Sequence, residues 1–420
     1  MSTLSVFIES PTVPLSPKRK LLAAYTTDKN FNKVYLGGKE YLTEDGRCYM
    51  FPFIWKIKLR MADDPTLTSR YLPISGFPEF TRSTTELALG QDSPAIIENR
   101  VIPDALHFGA IQTVGRSGAV RLGAELLRQW YNVNMGWCGP VYLSSPCEDS
   151  LANTFRAAGI TDVRHYHYWD PEKQSLAVEK LLEDLEEAPE LAVIVLSASA
   201  HCPTGTDPSQ DQWKLIAQVM MKRRLFPFFL LPAQGLCSGD PAQDSWPLRH
   251  FVSLGQELFC AQSFSHNFGL YGERTGCLLF VLKESTTLLA VQSQAESMVR
   301  TLWSHPPGIG ARVVTTVLNN PAHLAEWQEG LKRIVEQGML VRERLREKLR
   351  VLGSPGCWDH LTQQAGMYCY TGLTGKQVDF LAKKKHIYLP ADGCLNISAL
   401  NSRNLDYVAE SIHQAVTCNL

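Results

Sequence analysis

The sequence predicts an α/β fold in which a mixed, mostly parallel sheet is flanked by helices and followed by a smaller α/β domain. Three features carry this reading. Five apolar runs lack the polar alternation of a half-wet strand, a capped amphipathic helix separates two of them, and a long heptad-patterned helix begins at Pro321.

The elements are taken in chain order. Pro11, Pro14 and Pro17, followed by Lys18, Arg19 and Lys20, read as an extended N-terminal arm whose basic trio is a solvated surface. The stretch TVGRSGAVRLGAELL (113–127) joins a glycine turn to an apolar-periodic helix. PVYLSS (140–145), LAVIVLSAS (191–199), FPFFLL (226–231), LFCAQSFS (258–265) and TGCLLFVL (275–282) read as strands covered on both faces. In HYHYWDP (165–171), His165 and His167 share a strand face, but no third ligand lies nearby, so a strand is expected and a metal site is not. Ser209 and Gln212 have capping-box spacing, and Trp213, Ile216, Ala217 and Met220 follow a helical stripe, which makes this a βαβ unit. From Pro321 to Gly353, Leu324, Leu331, Gly338, Leu345 and Leu352 recur every seventh residue, with Trp327, Ile334 and Val341 between them. That pattern suits one long helix leading out of the sheet domain.

Composition narrows the function. With 420 residues, 45% of them hydrophobic, the chain can bury one or two cores without disulfides or metals. Its 41 Lys and Arg nearly balance 42 Asp and Glu, giving a net charge of -1, and no basic block marks a nucleic-acid or anionic-membrane surface. Eleven cysteines, an odd number without a CxxC pair, read as reduced thiols. The opening MSTLSVFIES has no signal-peptide pattern, and no apolar run reaches the roughly 18 residues of a membrane span, so a cytosolic protein with a small-molecule partner is expected.

The chemistry gathers in SFSHNFGLYGERTG (263–276). Ser263 and Ser265 supply hydroxyls, and Arg274 supplies a guanidinium able to grip a phosphate with two parallel hydrogen bonds. Ser117 and the amides around Gly118 add an anion site at a helix N-terminus. Together they read as a phosphate cup.

With RYLPISGFPEF (70–80), SASAHCPTGTDPSQDQW (197–213), LFPFFLLPAQGLCSG (225–239), MVRTLWSHPPGIGARVV (298–314) and KHIYLPADGCLNISALNSRNLDYVAESIHQAV (385–416), that segment resembles cytosolic aspartate aminotransferase and a divergent paralogue of it. The resemblance runs from about residue 14 to the C-terminal end and places the chain among the class-I pyridoxal-phosphate-dependent aminotransferases. It implies a fold-type-I homodimer with sites at the subunit interface. It also implies a division into 1–55 (arm and first part of a small domain), 56–330 (large cofactor-binding domain) and 331–420 (small domain), linked by the helix 321–353. By the same resemblance, Ser263, Ser265, Arg274, Ser117 and Gly118 retain the cup, and Tyr71 and Arg300 match residues that a partner subunit offers to the cofactor phosphate and to the substrate's distal carboxylate.

Other positions depart from the family pattern. His266 stands for the Schiff-base lysine, and an imidazole has no primary amine. Leu230 stands for the aspartate on the ring nitrogen, Ala233 and Cys202 for the tyrosine and asparagine on the ring hydroxyl, and Glu148 for the stacking tryptophan. Cys394 replaces the arginine of the substrate α-carboxylate, Lys39 a nearby glycine, and Arg116 a glycine of the phosphate turn. Losing one buried charge-assisted hydrogen bond costs about 2–5 kcal/mol. The expectation is therefore a catalytically degenerate homologue, a pseudoenzyme in which pyridoxal phosphate is held weakly and noncovalently or is absent, and a dicarboxylate or phosphate-bearing ligand can bind. Two alternatives stand beside it: residual aminotransfer on aspartate and glutamate, and a thiol enzyme using Cys202 and His266 with Glu148 orienting the histidine.

Overall fold

The computed structural model describes residues 7, 9–101 and 109–418. Its centre is a seven-stranded sheet: β1 (Ala110–Val114), β2 (Val141–Ser145), β3 (Val163–His167), β4 (Val193–Ser197), β5 (Phe226–Leu231), β6 (Leu258–Ser263) and β7 (Thr275–Val281). The spatial order is β1-β7-β6-β5-β4-β2-β3. β6, β5, β4, β2 and β3 run parallel, while β7 is antiparallel to both of its neighbours. The five apolar runs all became strands.

Those runs are unbroken because alternate side chains enter two cores. Ile194, Leu196, Phe229, Leu231, Cys260 and Leu279 join one apolar cluster, and Val193, Val195, Phe228, Leu230, Phe259 and Phe280 join the other. Both faces of the sheet are thus dry. The sequence reading passed over β1 as a strand. His165 and His167 sit exposed on edge strand β3, and His167 Nδ1 lies 2.8 Å from Asp184.

Four helices frame the site. α1 (Pro17–Thr27) corrects the extended arm: Ser16 caps it, and Pro17 occupies the first turn, where a missing N–H costs nothing. α2 (Gly115–Trp130) follows β1 directly and packs on β6 and β7. α3 (Gln210–Lys222) carries the full capping box, with Ser209 Oγ accepting from Gln212 N and Gln212 Oε1 from Ser209 N. α4 (Pro321–Val351) buries Trp327, Leu331, Ile334, Val341 and Leu345, while Leu352 falls beyond its end. A third apolar cluster joins Leu36, the far half of α4 and the C-terminal strands and helix. There Val34–Tyr35 pairs in parallel with Ile387–Tyr388, tying the two ends of the chain together.

One close approach sets the site. Gly276, at the start of β7, lies so near Gly115 that a Cβ added there would stand 2.5 Å from the Gly115 carbonyl carbon. Backbone cannot step aside as a flexible side chain can. Gly276→Ala is expected to lower stability by about 1–3 kcal/mol, read as a drop in the midpoint of thermal unfolding.

Candidate functional site

The C-terminal ends of β5 and β6 and the N-terminus of α2 open on one cavity of about 310 Å³. Ligand crevices of open α/β sheets lie outside the carboxyl ends of strands. Ser263 ends β6, and the chain then turns through Ser265 and His266, all of which line the cavity. Ser263 and Ser265 are each 6% exposed, and Ser263 Oγ accepts from Ser265 N. Arg274 takes a positive φ of 50° just before β7 and swings over Gly115. A Cβ on Gly115 would stand 2.7 Å from the Arg274 guanidinium, and its φ of 64° lies in the left-handed region that favours glycine.

Ser117 and Arg116 line the cavity from the first turn of α2. Gly118 does not. It lies deeper in the turn, where an added Cβ would meet Thr113 and Val114. Cys202, Ala233, Lys39 and Glu148 line the main cavity. Leu230 faces a small adjoining space that also touches Cys202, and Cys394 lines a neighbouring cavity of about 630 Å³ beneath α1. Tyr71 is 84% exposed, stacks on His305 at 4.7 Å and lies outside the cavity, as does the exposed Arg300.

Electrostatics explain the state of the histidine. His266 is half-buried, with its Nδ1 shielded from solvent and unpartnered, and its ring lies edge-on to Tyr271 at 5.4 Å. Burial, reinforced by Arg116, Lys39 and Arg274, pulls its pKa down to about 3. It is neutral at pH 7. The half-buried Cys202 thiol is pushed up by desolvation, against the pull of Arg116, Lys18 and Lys39. A thiolate–imidazolium pair needs the opposite shifts.

Some lining residues escaped the sequence reading. His201 is fully tied, with Nδ1 2.8 Å from Thr204 Oγ1, Nε2 2.8 Å from Ser144 Oγ, and its ring stacked on Tyr168. Burial alone takes its pKa to about 3. Tyr271 and Tyr368 also line the cavity, and the Tyr271 hydroxyl accepts from Tyr41 N at 2.8 Å. The adjacency of His201 to Cys202 was a usable signal; nothing in the sequence marked the tyrosines. Lys18 is a correction, because it is not merely solvated but stands 3.7 Å from Glu148.

The sequence profile of the family "Aminotransferase class I and II" matches residues 32–412. The chain belongs to that family. The cytoplasmic aspartate aminotransferase of Gallus gallus is 48% identical over 413 residues, 98% of each chain. A Homo sapiens chain named as a second cytoplasmic aspartate aminotransferase is 39% identical, covering 99% of this chain and 95% of that one. Among solved structures, the cytoplasmic aspartate aminotransferase of Saccharomyces cerevisiae matches with a TM-score of 0.92 at 30% identity over 98% of each chain. An aromatic-amino-acid aminotransferase from Burkholderia pseudomallei, covalently bound to pyridoxal phosphate, gives 0.92 at 31% identity over 99% of this chain and 100% of that one. The fold expected from the sequence is the aminotransferase fold. No helix of the described residues is long and apolar enough to cross a membrane.

A pyridoxal phosphate group finds only part of what it needs here. Two buried serine hydroxyls, Arg274 and the start of α2 suit its phosphate. The remainder of the cavity does not suit the ring. The lysine among its lining residues is Lys39, which donates to Glu148 at 3.1 Å, and the end of β5 offers Leu230, Pro232 and Ala233. Among the described lining residues the carboxylates are Glu40 and Glu148; Glu148 is paired with Arg116 and Lys39, and Glu40 Oε2 accepts from Lys39 N.

The His266 shift also carries a stability consequence. Its pKa is about 3 folded against about 6.5 unfolded, so between these values the unfolded chain binds the extra proton and stability falls as pH drops. From pH 7 to pH 5, His266 contributes a loss of about 2 kcal/mol. His266→Gln is expected to lose less stability over that interval, measured as the shift of the urea midpoint between pH 7 and pH 5.

Proposed function

We propose that this aminotransferase homologue binds a phosphate-bearing or dicarboxylate anion in the β5–β6–α2 cavity and does not turn over aspartate by the family route. The observation that carries the reading is the neutral His266 lining the cavity directly after Ser265, where the lining lysine is already paired with Glu148. The family reaction exchanges an amino group between L-aspartate and 2-oxoglutarate, and it needs a primary amine both to hold the cofactor and to move a proton. His266 offers neither that covalent bond nor, with its depressed pKa, a protonated donor at pH 7.

The retained groups have a narrower task. Ser263 and Ser265 present hydroxyls, and Arg274 and Arg116 present charge, where a phosphate would sit against the α2 N-terminus. Pro232 and Ala233 line the cavity after β5 with apolar surface, which favours an uncharged ligand body. We further propose that the chain acts as a cytoplasmic homodimer, with Tyr71 and Arg300 facing the partner's cavity. Their exposure here, and the cytoplasmic naming of the relatives, support that reading. The small domain is proposed to combine residues 1–55 with 331–420, in line with the pairing of Val34–Tyr35 and Ile387–Tyr388. The thiol reading draws no support from the site, since Cys202 and His266 are shifted toward the neutral pair.

The test is reconstitution with pyridoxal phosphate, a coupled assay of amino exchange between aspartate and 2-oxoglutarate, and borohydride reduction followed by peptide mapping. No exchange and no reduced lysine adduct are expected. Rapid exchange, or an adduct on Lys39, overturns the reading. Arg274→Ala is expected to weaken binding of inorganic phosphate about 30-fold, as loss of a charged hydrogen bond of about 2 kcal/mol predicts; isothermal titration reads it.

A further inference from the structure

Three cations converge on one carboxylate at the cavity wall. Glu148, whose side chain is 12% exposed, pairs with Arg116 through Oε2 and, through Oε1, lies 3.1 Å from Lys39 and 3.7 Å from Lys18. These partners come from separate parts of the chain: Lys18 from the first turn of α1, Lys39 from the loop after Tyr35, and Arg116 from the first turn of α2. The other charges lining the two cavities are Arg274 and Glu40 in the main one and Lys20, Asp379 and Asp392 in the neighbouring one. The cations also crowd one another. Lys18 is shifted down by burial and then by Lys39, and Arg116 is shifted down chiefly by burial and further by Arg274. A single carboxylate neutralises one of the three charges that touch it.

The same cluster anchors α1. That helix buries no side chain of its own. Its C-terminal part is held by Tyr25, whose ring packs 5.1 Å from Tyr35 and 5.7 Å from Tyr388, and by Lys33 donating to Tyr25 O and Asp28 O. At its N-terminal end, Lys18 reaches across the mouth between the two cavities to Glu148. Glu148 therefore does two things at once: it satisfies the cations and it holds a helix over the opening.

We propose that Lys18, Lys39 and Arg116 form a carboxylate-binding site filled by the chain's own Glu148, which a carboxylate ligand entering the cavity displaces. This rests on the anion-binding reading above and adds the chemistry of entry. A small carboxylate reproduces the Glu148 head group, a monocarboxylate with the same charge and a dicarboxylate with one negative charge more. In exchange for Glu148 it keeps the three cations satisfied and leaves α1 tethered through the ligand. Phosphate at Ser263, Ser265 and Arg274 competes only for Arg116.

The full-length chain with Glu148→Gln tests this, using succinate as the probe and hydrogen exchange as the first readout. Without ligand, residues 17–27 and 36–40 are expected to exchange about tenfold faster in the variant than in the parent, because three cations then face each other without a carboxylate. Saturating succinate is expected to restore protection in the variant, and its dissociation constant there to fall about tenfold below that of the parent. Lys18→Gln, which perturbs the cavity less, is expected to speed exchange in 17–27 while leaving 36–40 protected. Unchanged exchange in Glu148→Gln, or protection that succinate does not restore, overturns the proposal. Failure of the parent to bind phosphate strikes the anion-binding reading alone, since the ligand-free exchange result stands without it.

Discussion

The contact between Gly276 and Gly115 is the constraint from which the site follows. β7 is the strand that runs against the rest of the sheet, and it must start beside the N-terminus of α2. A Cβ on Gly276 would collide with the Gly115 backbone, so glycine at 276 is what lets backbone meet backbone there. That meeting sets Arg274 over Gly115 and brings Ser263, Ser265 and the first turn of α2 to a common opening. The geometry that suits a phosphate is thus a product of sheet topology.

Charge and burial then divide the cavity. Its floor is cationic, through Arg274, Arg116 and Lys39, and these same charges join desolvation in keeping His266 neutral. Its wall at β5 is apolar, and the lysine among its lining residues is committed to Glu148. A site of this kind holds anions well and holds a protonated heterocycle poorly. Binding an anion needs only donors and charge. The family chemistry also needs a nucleophilic amine in one fixed place.

Much of the fold could be read directly. The unbroken apolar runs became strands because each sends alternate residues into two separate cores, and the Ser209–Gln212 spacing became a capping box because both of its hydrogen bonds are local. The heptad stripe ended at Val351, close to the expected end, since a helix this long is specified by its own periodicity. Elements governed by distant contacts were harder to see. β1 passed unnoticed because AIQTV is short and half polar, and its strand character depends on pairing with β7. The N-terminal prolines suggested extended chain, yet Pro17 with Ser16 before it starts α1, where proline's fixed φ suits a helix. Ser263, Ser265, Arg274 and Ser117 were legible as a group because they stand in two short motifs; Gly118 entered through the amides of the same helix N-terminus, and its neighbours Arg116 and Ser117 line the cavity.

By itself, the sequence determined the class of fold, the strands of the buried sheet, the capped helices and the absence of a primary amine at position 266, because propensity, periodicity and functional-group chemistry are properties of residues and their near neighbours. Tertiary structure decided which charges meet. Lys18, Lys39, Arg116 and Glu148 lie far apart along the chain, and no local pattern announces that they converge. It likewise decided that His266 is neutral and that Leu230 and Cys394 look into separate spaces beside the main cavity. Protonation and ion pairing depend on burial and on distances across the fold, which exist only once the sheet has closed its two faces and brought the chain ends together.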